Sequence, residues 1–182
     1  MTCIVGMIDN KTKKVIIGGD SSSTSDSNIF IRKDPKVFKN NDFIFGCTTS
    51  YRMIQLLRFS FIPPEKIEAK GIYEYMCTDF INAVRNCYKD GGFLQKFDNG
   101  DERGGHFLVG YKDRLFKIEE DFQVAENLNG IDACGCGADF ALGAISSLSK
   151  YKLSTKQKII TSLEAAEFLS PMVCRPFIII ST

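Results

Sequence analysis

Over the first fifty positions the apolar residues come in short runs. Thr2–Ile8 (TCIVGMI) and Lys14–Gly19 (KVIIGG) are too short for helices and rich in β-branched residues, with the turn-forming Asp9-Asn10-Lys11 between them. Two such runs across a polar turn predict a β-hairpin. The stretch after Asp20, SSSTSDSN, has little strand or helix character and reads as a loop. Ile29–Ile31 and Val37–Phe38 flank a charged segment, and Asp42–Cys47 (DFIFGC) reads as a third buried strand after the turn at Asn40-Asn41.

The period then changes. From Ser50, Met53, Ile54, Leu56, Leu57, Phe59 and Phe61 fall at helical spacing until Pro63-Pro64 stops the pattern. A second helix is predicted over 72–88, with Tyr75, Met76, Phe80, Ile81 and Val84 on one face and Gly91-Gly92 beyond its end. Phe93–Gly105 reads as a loop or hairpin tip. His106–Tyr111 and Leu115–Ile118 form another hairpin signature, and Gln123–Ala125 and Ile131–Cys134 add short strands. Phe140–Leu148 and Lys156–Phe168 read as helices, and Phe177–Ile180 closes the chain as a strand. Strands in blocks and helices in blocks predict an α+β fold with antiparallel sheets, as one domain over residues 1–182. Two central sheets with a helix pair outside each, a four-layer αββα sandwich, would bury these elements.

Composition narrows the chemistry. The 182 residues carry 23 Lys+Arg against 22 Asp+Glu, and 44% are hydrophobic, as in an ordinary globular chain. No basic cluster suggests nucleic acid, and no apolar stretch is long enough to span a membrane. The seven cysteines (3, 47, 77, 87, 134, 136 and 174) include no CxxC pair, so neither a disulfide framework nor a metal ribbon is indicated. Seven free thiols and the absence of a signal peptide point to the cytoplasm. No metal or other cofactor is expected. His106, the one histidine, rules out multi-histidine zinc sites and leaves any histidine triad dependent on itself. Opening a strand after Gly104-Gly105, it reads as structural.

Three features recur in register. Thr2 follows the initiator methionine, whose removal would leave threonine at the chain terminus. The second strand ends in Gly18-Gly19-Asp20, with Thr24 four residues on, and Lys36-Val37 lies sixteen residues after Asp20. Later, Gly135-Cys136-Gly137 leads into the segment Ala138–Gly143. Taken singly, Thr2 is commonplace, Asp20 could start a turn, Lys36 could be a surface charge, and Cys136 could be a small buried residue. Cys3 reads as core, or as a terminal thiol after a two-residue trim.

Together, in order and over nearly the whole chain, these features resemble the proteasome β-subunit and HslV-type N-terminal-nucleophile (Ntn) hydrolases. The resemblance implies a catalytic set of Thr2, Asp20, Lys36 and Cys136. It also implies that Thr24 pairs with an extended peptide and that Thr49, in the turn 47–50, supplies an oxyanion donor. It further implies self-association into a ring acting on unfolded polypeptide, to which an ATP-dependent unfoldase could feed substrate. The chain has no GxxxxGK[ST], so any ATPase would be a separate protein. The length resembles that of a processed β-type subunit without a propeptide.

The chemistry is self-consistent. A threonine hydroxyl needs a base within reach, and a terminal α-amine, with an ordinary pKa of about 7.7–8.0, can serve at neutral pH without histidine. A nearby ammonium lowers that pKa further. Two positions depart from the family. Its Gly-Ser-Gly serine is Cys136, a weaker donor, and Leu169–Pro176 (LSPMVCRP) lacks the usual carboxylate, with Met172 in its place. A catalytically silent ring scaffold and an Ntn amidohydrolase acting on a small amide are therefore the competing readings.

Overall fold

The computed structural model describes residues 2–25, 28–96 and 102–182, the side chain of Glu102 excepted. Met1 and the tip of the 93–105 segment lie outside the described residues.

Strands β1 (Ile4–Ile8) and β2 (Val15–Gly19) form the expected hairpin. They sit at the centre of an antiparallel sheet in the order β12-β1-β2-β13, where β12 is Ile131–Cys134 and β13 is Ile178–Ser181. A second antiparallel sheet has the order β11-β10-β9-β6-β5. Its strands are β5 (Val37–Asn40), β6 (Phe43–Cys47), β9 (Phe107–Tyr111), β10 (Arg114–Ile118) and β11 (Val124–Ala125).

Both faces of these central strands are covered, which explains why they read as continuous apolar runs. Along β1, Ile4 joins Ile17, Ile44, Leu108 and Leu115 in the core between the sheets. Val5, pointing the other way, joins Ile159, Leu163 and Ala166. Those residues belong to α5 (Thr155–Leu169), which packs on the first sheet beside α4 (Ala138–Leu148). The sheets approach closely at Gly46, where a Cβ would lie 2.5 Å from Ile4 Cγ2 and 2.6 Å from Ile17 Cγ2.

The second sheet is covered by α1 (Tyr51–Phe59), α2 (Ile72–Tyr75) and α3 (Ile81–Asp90). Phe45, Phe80 and Phe107 form an aromatic core there, with Phe80 stacked on Phe43 at 5.3 Å and edge-on to Phe61 at 5.4 Å. The block order thus yields the α+β class with antiparallel sheets.

Three local features differ from expectation. The serine-rich stretch is not a loop: β3 (Ser22–Ser25) pairs with β4 (Asn28–Ile31), Ser22 opposite Ile31. The reason is tertiary, because Ser21 N–H donates to Cys174 C=O at 3.0 Å and anchors the run to a distant segment. The helix predicted over 72–88 reaches Asp90 but contains a π turn at Met76–Phe80. In α1, Ser50 caps the first turn, and the helix stops at Phe59, whose ring is 73% exposed. Within 93–105, β7 (Gln95–Lys96) pairs with β8 (Glu102–Arg103), in line with the expected hairpin.

Helix α5 opens with a capping box, Ser154 with Gln157. Its first residue is tied to the β1–β2 turn by a 2.6 Å bond from Thr155 Oγ1 to Asp9 Oδ2. That bond and the Thr12 backbone N–H hold the Asp9 carboxyl down at about 2. A depressed carboxyl contributes stability that is full above the unfolded value of about 3.9 and is lost as pH falls towards 2. Thr155→Val should therefore cost about 1 kcal/mol at pH 7 and much less near pH 2, measured by urea denaturation at both pH values. An equal cost at both would contradict this role for Asp9.

Candidate active site

The β1–β2 register brings the first predicted pair together. Ile4 lies opposite Gly19, so Asp20 emerges beside Cys3. Cys3 N–H donates to Asp20 Oδ1 at 3.0 Å, and Asp20 N–H donates back to Cys3 C=O at 3.3 Å. Lys36, immediately before β5, reaches the same carboxylate oxygen with Nζ at 2.9 Å. This pair is out of water, with side chains 2% and 0% exposed. Burial pushes the Lys36 ammonium below its ordinary pKa, and the Asp20 carboxylate only partly opposes that. Burial, followed by the charge of Asp20, raises the Cys3 thiol to about 12, so Cys3 is an inert core thiol.

Thr2 sits at the mouth of this pair, itself buried. Its other neighbour comes from the turn after β12, which pairs with β1 through Ile4 and Cys134. Thr2 N–H points at Cys136 Sγ at 3.4 Å, and the thiol lies 3.5 Å from Thr2 C=O. Cys136 is exposed, which overturns its reading as a small buried residue. The turn needs glycine before it: Gly135 has φ +98°, and a Cβ there would stand 2.2 Å from Thr2 O.

Thr49 occupies a left-handed position, φ 61°, in the turn between β6 and α1. Its hydroxyl accepts from His106 N–H at 3.2 Å, and Thr48 N–H donates to His106 C=O at 3.2 Å. His106 is thus structural: its backbone braces the turn while its ring Nδ1 lies 2.8 Å from Glu119 Oε2. Among the described residues, the Thr49 N–H is engaged in no backbone bond. Thr24 pairs with Ile29 on one edge of β3. Thr2, Lys36, Thr24 and Thr49 line one cavity of about 110 Å³. All of the predicted site residues except Asp20 and Cys136 meet on that surface, Asp20 standing behind Lys36 and Cys136 against the Thr2 backbone.

Sequence reasoning missed what fills the place of the absent carboxylate. Ser22 Oγ lies 2.5 Å from Asp20 Oδ2 and 2.6 Å from Met172 C=O, and Ser22 N–H donates to the same Oδ2 at 3.0 Å. Cys174 N–H points at Oδ2 from 3.5 Å. Segment 170–176 therefore reaches Asp20 through backbone groups. The hint in the sequence was Ser22 itself, two residues after an aspartate, a spacing that favours local carboxylate–backbone bonds. Among the described residues no group of three or more His, Cys, Asp or Glu side chains could hold a metal ion. No described helix is long and apolar enough to cross a membrane.

No protein-family profile matches the chain, and no curated protein matches it. Solved structures do. The Thiobacillus denitrificans protein BPH, in complex with epoxomicin, is 16% identical with a TM-score of 0.82, over 100% of this chain and 98% of that one. Eukaryotic HslV from Trypanosoma brucei is 16% identical with a TM-score of 0.68, over 99% and 98%. Anbu, an ancestral β-subunit from Yersinia bercovieri, is 15% identical with a TM-score of 0.65, over 99% and 81%. The chain therefore has the proteasome-like Ntn-hydrolase fold.

Two substitutions test the geometry. Gly135→Ala forces an L residue into φ +98° against Thr2 C=O and should destabilise by about 2 kcal/mol or more. Ser22→Ala removes a buried hydroxyl that bridges two acceptors and should cost about 1–2 kcal/mol. Thermal denaturation checks both, and unchanged midpoints would show that neither contact holds the site.

Proposed function

We propose that this chain is a threonine-type endopeptidase whose nucleophile is Thr2 after removal of Met1. The observation that carries the reading is the buried Lys36–Asp20 pair against a buried Thr2, in a cavity with no histidine on its wall. The domain spans 1–182, and we read the two sheets with helices outside each as the four-layer αββα sandwich.

The reaction runs as acyl transfer. Thr2 Oγ1 attacks the scissile carbonyl carbon and passes its proton to the Thr2 α-amine. Lys36, charged and held by Asp20, favours the neutral form of that amine. The carbonyl oxygen takes up negative charge and is met by the Thr49 N–H. The ammonium then protonates the leaving nitrogen, the C–N bond breaks, and an ester on Thr2 remains. A water gives its proton to the amine, attacks the ester and restores the hydroxyl. Cys136, beside the Thr2 nitrogen, orients it through a weaker bond than a hydroxyl would make. The β3 edge carrying Thr24 suits pairing with an extended substrate strand.

A site open to any unfolded chain needs seclusion, which a closed ring of copies provides, with a separate ATP-dependent unfoldase as a fitting partner. Seven unpaired cysteines suit a reducing cytoplasm. The second reading, a silent ring scaffold, is favoured by one observation: a thiol, not a hydroxyl, stands at the Thr2 nitrogen.

Protein lacking Met1 should degrade unfolded casein. Thr2→Ala should lower that activity by about 10³-fold or more, and Thr2→Ser should retain part of it. Lys36→Met removes the cation that depresses the amine pKa, so the rising limb of the pH–rate profile should move to higher pH. Equal casein cleavage by wild type and Thr2→Ala would overturn the reading, and no cleavage by either would favour the scaffold.

A further inference from the structure

The first sheet ends at β13, an edge strand whose outer side meets no strand among the described residues. Thr182 N–H donates to Val15 C=O at 3.0 Å, and the register continues with Ile180 opposite Ile17 and Ile178 opposite Gly19. These alternate residues turn their backbone groups to β2, while Ile179 and Ser181 turn theirs outward. An exposed edge is ordinarily blunted by a charge, a proline or a bulge within the strand. Ile178–Ser181 (IIIS) carries none of these, and Ile178 is 36% exposed.

Beside this edge runs α5, and between the two lies a groove lined by Lys156, Ile160 and Glu164 of the helix and by residues 175–179. The three helix residues stand four positions apart, so they share one face with about 6 Å of rise between neighbours. Lys156 and Glu164 are exposed. At Gly18, opposite Ile179, a Cβ would meet Ile159 Cγ2 at 2.6 Å and Ile179 Cγ1 at 3.4 Å. Ile179 therefore lies level with the turn of α5 that carries Ile160. The remaining charge of the groove, Arg175, is held by Glu167 through bonds of 2.9 and 2.7 Å and meets Glu164 only at 3.8 Å.

A cation, an apolar residue and an anion at equal spacing form a stripe that complements itself when turned about its centre. A two-fold axis passing by Ile160 and Ile179 sets Lys156 against the partner's Glu164 and Glu164 against the partner's Lys156, with Ile160 between them. The same axis lays β13 antiparallel to a second β13, Ile179 opposite the partner's Ile179 and Ser181 opposite the partner's Phe177. The outward backbone groups then pair with one another. A partner bearing a single sign of charge would instead meet like charge at one end. From this we infer that a second copy of this chain docks along the β13 edge and the α5 groove, an isologous contact that joins two four-stranded sheets into one. It differs from the head-to-tail contacts that close a ring, and it does not rest on the Thr2 chemistry.

Charge reversal of the full chain is the test, read by sedimentation velocity over a dilution series. Lys156→Glu and Glu164→Lys each bring like charges together at both ends of the contact and should raise its dissociation constant by about 10-fold or more. Each variant should therefore fall to half the wild-type mass at concentrations where the wild type stays whole. Mixed in equal amounts, the two variants should regain that mass, because each end of the contact again joins Glu to Lys. Ser181→Pro removes an outward N–H without touching the bonds to β2 and should also halve the mass. Circular dichroism checks that every variant is folded. A monomeric wild type, a mass unchanged by both reversals, or a mixture no heavier than its parts would overturn the inference. Wild-type mass in Ser181→Pro would overturn the strand pairing and the two-fold axis with it.

Discussion

The Thr2 end of the molecule depends on one ion pair held out of water. Lys36 Nζ stands 2.9 Å from Asp20 Oδ1, with both side chains essentially unexposed. Desolvating two charges costs several kcal/mol per ion, and their attraction offsets that only when the remaining lone pairs are satisfied. Here they are: Oδ1 also accepts from Cys3 N–H, and Oδ2 is met by Ser22 and approached by Cys174 N–H. Replacing the pair with apolar residues of similar volume would be expected to cost the fold little or nothing. What the pair does place is a cation on the wall of the cavity that Thr2 also lines.

That pair also organises the chain around it. To satisfy Asp20, the segment after α5 must come back to β3, and it does so with backbone groups of residues 172 and 174. The serine-rich run is thereby drawn into a strand, with Ser21 bonded to Cys174 and Pro176. The strand in turn forms a wall of the cavity. One buried carboxylate thus links the hairpin, the chain's late segment and the surface that a substrate would meet.

Much of the fold was legible because the chemistry of each element is local. Runs such as Ile4–Ile8 and Phe43–Cys47 are apolar throughout because both faces are covered, and the helical spacing at Met53–Leu57 reports a single buried face. The β3–β4 hairpin was not legible, since serines carry no strand signal and the carbonyls that anchor Ser21 and Ser22, those of Cys174 and Met172, lie about 150 positions away. The π turn at Met76–Phe80 left no mark in the periodicity either. At the site, Asp20 and Lys36 could be read only through their joint spacing in the family resemblance, and the hairpin register then sets Asp20 beside Cys3, the residue before β1. Ser22 could have been read from its spacing to Asp20. The Met172 carbonyl and the Cys174 amide could not, because any residue supplies those groups.

Under the proposed mechanism the Thr2 hydroxyl, with its own amine as base, is the reacting group of a site organised by Lys36 and Asp20. The most direct measurement is peptide mapping by mass spectrometry after the protein lacking Met1 has reacted with a peptide epoxyketone. A single adduct is expected on the N-terminal peptide at Thr2, formed slowly or not at all in Lys36→Met. An adduct on Cys136, or none on Thr2 in folded protein with a free Thr2 amine, would contradict it.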